Sequence, residues 1–79
     1  PAKRRSSGLA YKERKELEAL PGRIEELERE QTGLHAAMSD PAFFRQEGAK
    51  IAAEKVRLET VERELSELYT RWEELEPRT

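Results

Sequence analysis

Two runs of apolar residues, spaced alternately by three and four, constrain this chain more than any other feature. The first is Leu17, Leu20, Ile24, Leu27, Gln31, Leu34 and Met38. The second is Ile51, Glu54, Leu58, Val61, Leu65, Leu68, Trp72 and Leu75. Such spacing lays residues along one narrow stripe of a helix, and the stripe repeats every seven positions. Gln31 and Glu54 are the two polar interruptions. With Leu17 as position a, Leu20 is d, Ile24 is a and Leu27 is d.

The chain has 79 residues, 41% of them charged and 35% hydrophobic, with no cysteine. That is one small domain at most, and a chain this short holds a globular core only marginally. Neither disulfides nor thiolate metal sites are available to staple it. Long helices packed along a seam satisfy both the composition and the period. No apolar run approaches the roughly 20 residues that a membrane span needs. No signal peptide is visible, and a soluble cytoplasmic origin is the expectation. The chain begins at Pro1 rather than at a methionine, so we expect it to be part of a longer one.

Residues 1–8, "PAKRRSSG", show no apolar periodicity and read as a flexible basic linker. The helical hairpin is expected over 9–76: helix one at about 9–38, a connection at about 39–47, and helix two at about 48–76. Each arm is then roughly 45 Å long. In "SDP", Ser39 or Asp40 can cap a new turn and Pro41 suits its first position. A short turn of helix, "PAFFRQ", follows and ends at Gly48. Phe43 and Phe44 lie where the chain must reverse, and we expect them to plug that end against Met38 and Ile51. The expected fold class is all-α: an antiparallel two-helix coiled-coil hairpin, with a short helical turn at its connection.

Two registers fit the heptads. In one, Leu17 faces Leu68, Leu20 faces Leu65, Ile24 faces Val61, and Gln31 meets Glu54. The other lies one heptad away. Pairing the two polar interruptions favours the first.

Pro21 and Gly22 stand side by side inside the first heptad run. Proline there removes a hydrogen bond to the Leu17 carbonyl, at about 3 kcal/mol. Glycine adds up to about 1 kcal/mol. The apolar phase survives across them, so the pattern predicts a Pro kink or short 3₁₀ turn near residue 21 rather than a break. A bend here would aim residues 9–20 away from the lower arm.

Those residues matter because charge is unevenly placed. Residues 1–15 contain Lys3, Arg4, Arg5, Lys12, Arg14 and Lys15 against Glu13 alone, a net +5 within a chain of net −2. A basic end on an acidic body suggests contact with a polyanion; a solvated linker accounts for the charge equally well. If the contact is real, these six cations meet phosphates, and Tyr11 among them is the best candidate to stack on a base. No set of side chains is arranged to read base edges. Trp72, at an a position, is expected to pack in the seam rather than to stack. In the favoured register Tyr69 lies at the same end as Tyr11.

Chemistry is otherwise sparse. There is no Gly-x4-Gly-Lys-Ser/Thr loop to cradle a nucleotide phosphate. His35 stands alone, without the partners a metal site needs. Glu25/Glu26 and Glu73/Glu74 read as solvated faces, and Ser6 and Ser7 have no base nearby. No catalytic residue, metal site or cofactor is expected.

Local strings carry a further signal. "LAYKERKELEALPGRIEELE", "DPAFF" and "LYTRWEELE" resemble the C-terminal extension of the ABC-F ATPases, most closely the Uup type. The matching residues are Tyr11, Lys12 and Glu13; Leu20 and Pro21; Asp40 and Pro41; and Arg71, Trp72, Glu73, Leu75 and Glu76. Ala10 departs from the pattern, since serine is common there. The resemblance covers about residues 9–76. It implies a coiled-coil hairpin appended to tandem ATPase domains of the same chain, where ATP and Mg would be held. It implies nucleic-acid binding as well, with DNA for the Uup type, while ribosomal RNA or the ribosome is engaged by relatives in the wider family. As a fragment the chain is expected to be a monomer. The competing reading is a protein-interaction or ribosome-contacting coiled coil.

Overall fold

A computed structural model describes residues 8–79. Lys3, Arg4 and Arg5 lie outside the described residues. Two α-helices of 28 residues each make up most of the rest: α1, Tyr11–Met38, and α2, Gly48–Leu75. A 3₁₀ turn, Pro41–Arg45, lies between them, and a second, Glu76–Arg78, follows α2. There is no strand among the described residues. The molecule measures 63 × 17 × 15 Å, the thickness of a helix pair. It is the antiparallel coiled-coil hairpin that the two heptads predict.

The ends of the helices follow from local chemistry. The first helix starts at Tyr11, slightly later than expected, because Ala10 is extended (φ −73°, ψ 166°) and serves as the N-cap. Alanine has no capping oxygen, and the Glu13 carboxylate takes over by accepting the Ala10 N–H at 3.1 Å. Gly8 has φ 73°, in the left-handed region that glycine enters without steric cost. At the reversal, Asp40 Oδ1 accepts the Ala42 N–H at 2.9 Å, and Pro41 opens the 3₁₀ turn.

The seam is aliphatic. Leu20, Ile24 and Leu27 of α1 and Val61, Leu65 and Leu75 of α2 are buried together. Leu9, Leu17, Leu34, Leu68 and Trp72 pack against them from the edges. Phe43 is buried at the reversal, as expected. Phe44 is not: it is 61% exposed, set edge-on to Phe43 at 5.0 Å. The closed end of a hairpin this narrow has room for one ring, so the second turns to solvent.

Side chains bridging the helices correct the favoured register. Gln31 Nε2 donates to Glu62 Oε2 at 3.3 Å, and His35 Nε2 lies 3.5 Å from the same carboxylate. Gln31 is therefore level with Val61 rather than with Glu54, one heptad further along α2. Leu75 is fully buried in this register; the other would have set it opposite Ala10. The polar interruptions do not need each other. Gln31 is satisfied by a carboxylate flanking the seam, and Glu54 lies beside Ala37, Phe43 and Lys50 in an open hollow near the reversal. Three further ion pairs, Glu16–Arg71, Arg23–Glu64 and Glu30–Arg57, line one flank. Exposed pairs of this kind specify alignment more than they stabilise.

Pro21 and Gly22 lie within one unbroken α-helix. The seam continues across them, which disposes of a loop between separate helices and of a 3₁₀ turn. Proline has no N–H, so the Leu17 carbonyl loses its usual partner there, and any bend in α1 is concentrated at this point. Nothing lies within 4 Å of a Cβ added to Gly22. The Gly22→Ala variant is accordingly expected to gain up to about 1 kcal/mol of stability in urea unfolding; a loss would mean that this turn needs glycine.

Candidate nucleic-acid interface

The first turns of α1 build the candidate interface. At 100° per residue, Tyr11, Lys12, Arg14 and Lys15 fall within an arc of about 160°. That arc faces away from the seam residues Leu17 and Leu20, and all four of its residues are exposed. Lys15 Nζ lies 5.6 Å from the centre of the Tyr11 ring, a cation–π contact on an open surface. Tyr11 is 72% exposed, so its ring is available to an incoming planar group. Lys15 is also 3.8 Å from Glu18, a loose pair between exposed side chains. Lys12 and Arg14 pair with no acid among the described residues.

Glu18 shares the arc, about two turns below Tyr11, whereas Glu13 and Glu16 turn the other way. Glu13 accepts Arg78 Nη2 at 3.0 Å and Nη1 at 3.2 Å, and Arg71 lies 3.9 Å away. Its carboxyl is held below the ordinary range by the Ala10 N–H and then by the Arg78 guanidinium. Glu16 takes a two-pronged contact from Arg71, at 2.7 and 3.0 Å, and its carboxyl is lowered chiefly by that hydrogen bond. Arg71 also reaches Glu74 at 3.0 Å, and these carboxylates raise its already high pKa. The result is an outer face of three cations and one tyrosine with Glu18 at its lower edge, backed by the compensated acids Glu13 and Glu16.

Of two predicted aromatic placements, one agrees with the structure and one does not. Trp72 is half-buried and packed on the seam, which fits packing rather than a stacking platform. Tyr69 does not sit beside Tyr11. Its hydroxyl donates to the Glu28 carboxylate, which also pushes the phenol's pKa up. Glu28 lies about 25 Å down α1 from Tyr11 at 1.5 Å per residue. The shift of one heptad in register carries Tyr69 away from the basic end.

Sequence reasoning missed Arg78 altogether. It lies beyond the last heptad position and beyond Pro77, where periodicity is silent, and only the return of the chain places it against Glu13. Arg71 was visible as part of a local string, but its pairing with Glu16 depends on the register. No group of acids and histidines that could hold a metal occurs among the described residues. No described helix is long and apolar enough to cross a membrane.

Comparison with known proteins gives a consistent set of relatives. The model of a family described as the ABC transporter C-terminal domain matches residues 8–77. Two Haemophilus influenzae proteins, named ATP-binding protein Uup-like and ATP-binding protein Uup, are each 47% identical over 75 residues, or 95% of this chain. Escherichia coli ATP-binding protein Uup is 38% identical over 94% of it. The chain spans only 12 to 16% of the length of these curated relatives. A solved structure, the C-terminal domain of the Uup protein, described as a DNA-binding coiled-coil motif, superposes with a TM-score of 0.85 at 36% identity. That match covers 99% of this chain and 92% of the other.

Proposed function

This chain belongs to the ABC transporter C-terminal domain family, and from that premise we propose that it is a DNA-binding accessory domain of an ABC-F ATP-binding protein. Binding runs through the basic end of the hairpin. Lys12, Arg14 and Lys15 contact phosphates, Lys3, Arg4 and Arg5 add charge from the preceding segment, and Tyr11 offers a ring to an exposed base. One observation carries this reading: Lys12, Arg14 and Lys15 share the arc opposite the seam, and the single acid among residues 1–15 is compensated by Arg78. A similar fold in a domain described as DNA-binding supports it.

The mechanism is electrostatic. Cations that neutralise phosphates release counterions, and affinity falls with salt by close to one log–log unit per contact. Nothing at this end matches the donor and acceptor pattern of a base pair, so the contact is to the backbone and independent of sequence. The domain itself performs no catalysis. ATP hydrolysis, with its Mg, falls to ATPase domains of the same polypeptide, and the whole protein acts in the cytoplasm. The hairpin holds the basic end at the far tip of a rod, up to about 40 Å from the reversal.

Titrating labelled duplex DNA into the chain at several salt concentrations tests the proposal. Expected is micromolar or weaker binding whose logarithm falls linearly with the logarithm of salt, by several units of slope. Absent binding, or affinity indifferent to salt, overturns it. Parallel titrations with single-stranded DNA and structured RNA rank the nucleic acids; a strong preference for RNA would shift the target to the ribosome.

A further inference from the structure

The basic end is closed by a contact that joins the two ends of the described chain. Arg78, in the 3₁₀ turn after α2, donates through both terminal nitrogens to Glu13 and through Nη2 to the Gly8 carbonyl. Glu13 in turn accepts the Ala10 N–H and so caps α1. Arg71 stands 3.9 Å from the same carboxylate. One glutamate therefore fixes the entry to α1 and anchors the segment that follows α2.

We propose that Arg78 and Glu13 form a clasp whose role in polyanion binding is to mask the carboxylate set between Lys12 and Arg14, with Arg78 acting as a positioning residue rather than a phosphate ligand. The proposal rests on the DNA-binding reading above. Glu13 adjoins both Lys12 and Arg14 in sequence. Left bare, its charge would act within a Debye length of a phosphate bound there, about 10 Å at 0.1 M salt. Paired, it presents no net charge to that phosphate. The lowered Glu13 pKa agrees with a carboxylate that stays ionised within the pair. The Gly8 contact adds a second role: Gly8 is the described residue that adjoins the basic segment, and Arg78 holds its carbonyl.

The test uses four forms of the chain: wild type, Arg78→Gln, Glu13→Gln, and the double variant. Glutamine at position 13 can still accept the Ala10 N–H, so the cap of α1 is retained. Arg78→Gln is expected to weaken duplex DNA binding by about threefold to tenfold while leaving the salt slope within about half a unit of wild type, because no phosphate contact is lost. The double variant is expected to return to within about twofold of wild type, because the carboxylate that Arg78 had masked is gone with it. Glu13→Gln alone should bind at least as tightly as wild type. Loss of fold cannot imitate this pattern, since the double variant lacks the same pair as Arg78→Gln. A double variant as weak as Arg78→Gln would overturn the clasp, and a salt slope lowered by about one unit in both would make Arg78 a direct phosphate ligand. Arg78→Gln binding like wild type would also overturn it. Absence of DNA binding by wild type would instead defeat the functional reading on which the clasp rests.

Discussion

The Leu27→Ala variant melts at least about 10 °C below the parent chain. Leu27 is 1% exposed, near the middle of the seam. Removing a buried leucine side chain costs about 2–5 kcal/mol, the larger values arising where neighbours cannot collapse into the gap. A two-helix seam has no third layer from which to collapse. Stabilities of roughly 0.05–0.15 kcal/mol per residue leave a domain of this size little reserve. For chains of 60–100 residues each kcal/mol moves the midpoint by about 4–8 °C. Circular dichroism on heating, with urea unfolding beside it, gives the number. Val56→Ala is the control, because Val56 is 59% exposed and its loss should change stability by no more than about 0.5 kcal/mol. If the two variants melt together, the helices do not share the seam described.

Charge removal has the second large effect, on binding rather than stability. Replacing Lys3, Arg4, Arg5, Lys12, Arg14 and Lys15 together by glutamine should weaken duplex DNA binding by more than about 100-fold near 0.1 M salt. The salt slope should fall by up to about five units. Replacing only Lys12, Arg14 and Lys15 should remove about half of that slope, which separates the helix from the segment before it. The melting midpoint should barely move, since the helix cations lie on the exposed arc and Lys12 and Arg14 pair with no described acid. An unchanged slope in the sixfold variant would place the contact elsewhere on the chain.

Much of this architecture could be read directly from residues. The three-and-four spacing places Leu20, Ile24, Leu27, Val61, Leu65 and Leu75 in the seam, because a helix has only one face that such spacing can fill. Asp40 and Pro41 announce the turn because each suits only one step of a helix start. Pro21 could be kept inside a helix because the phase of the leucines survives it. Register was different. A heptad looks the same after a shift of seven, so the apolar residues cannot choose between alignments. The choice falls to long flanking side chains such as Gln31, Glu62, Glu16 and Arg71, whose reach is not written in their spacing. The misplacement of Tyr69 followed from that ambiguity. Phe44 failed for another reason, since sequence gives no measure of how many rings the reversal can enclose. In the candidate interface, the cations were legible as a charge block, and the arc they share followed from helical geometry. Arg78 was not, because its role depends on the last residues of the chain returning to the first.

The central claim is that the open end of the hairpin, and not its acidic body or its reversal, meets the nucleic acid. Mapping backbone amide shifts as duplex DNA is added to the labelled chain tests it most directly. Shifts should concentrate on residues 8–20 and on the turn Glu76–Arg78, with Pro41–Arg45 silent. Shifts centred on Phe44 and the reversal, or spread evenly along the outer faces of both helices, would contradict it.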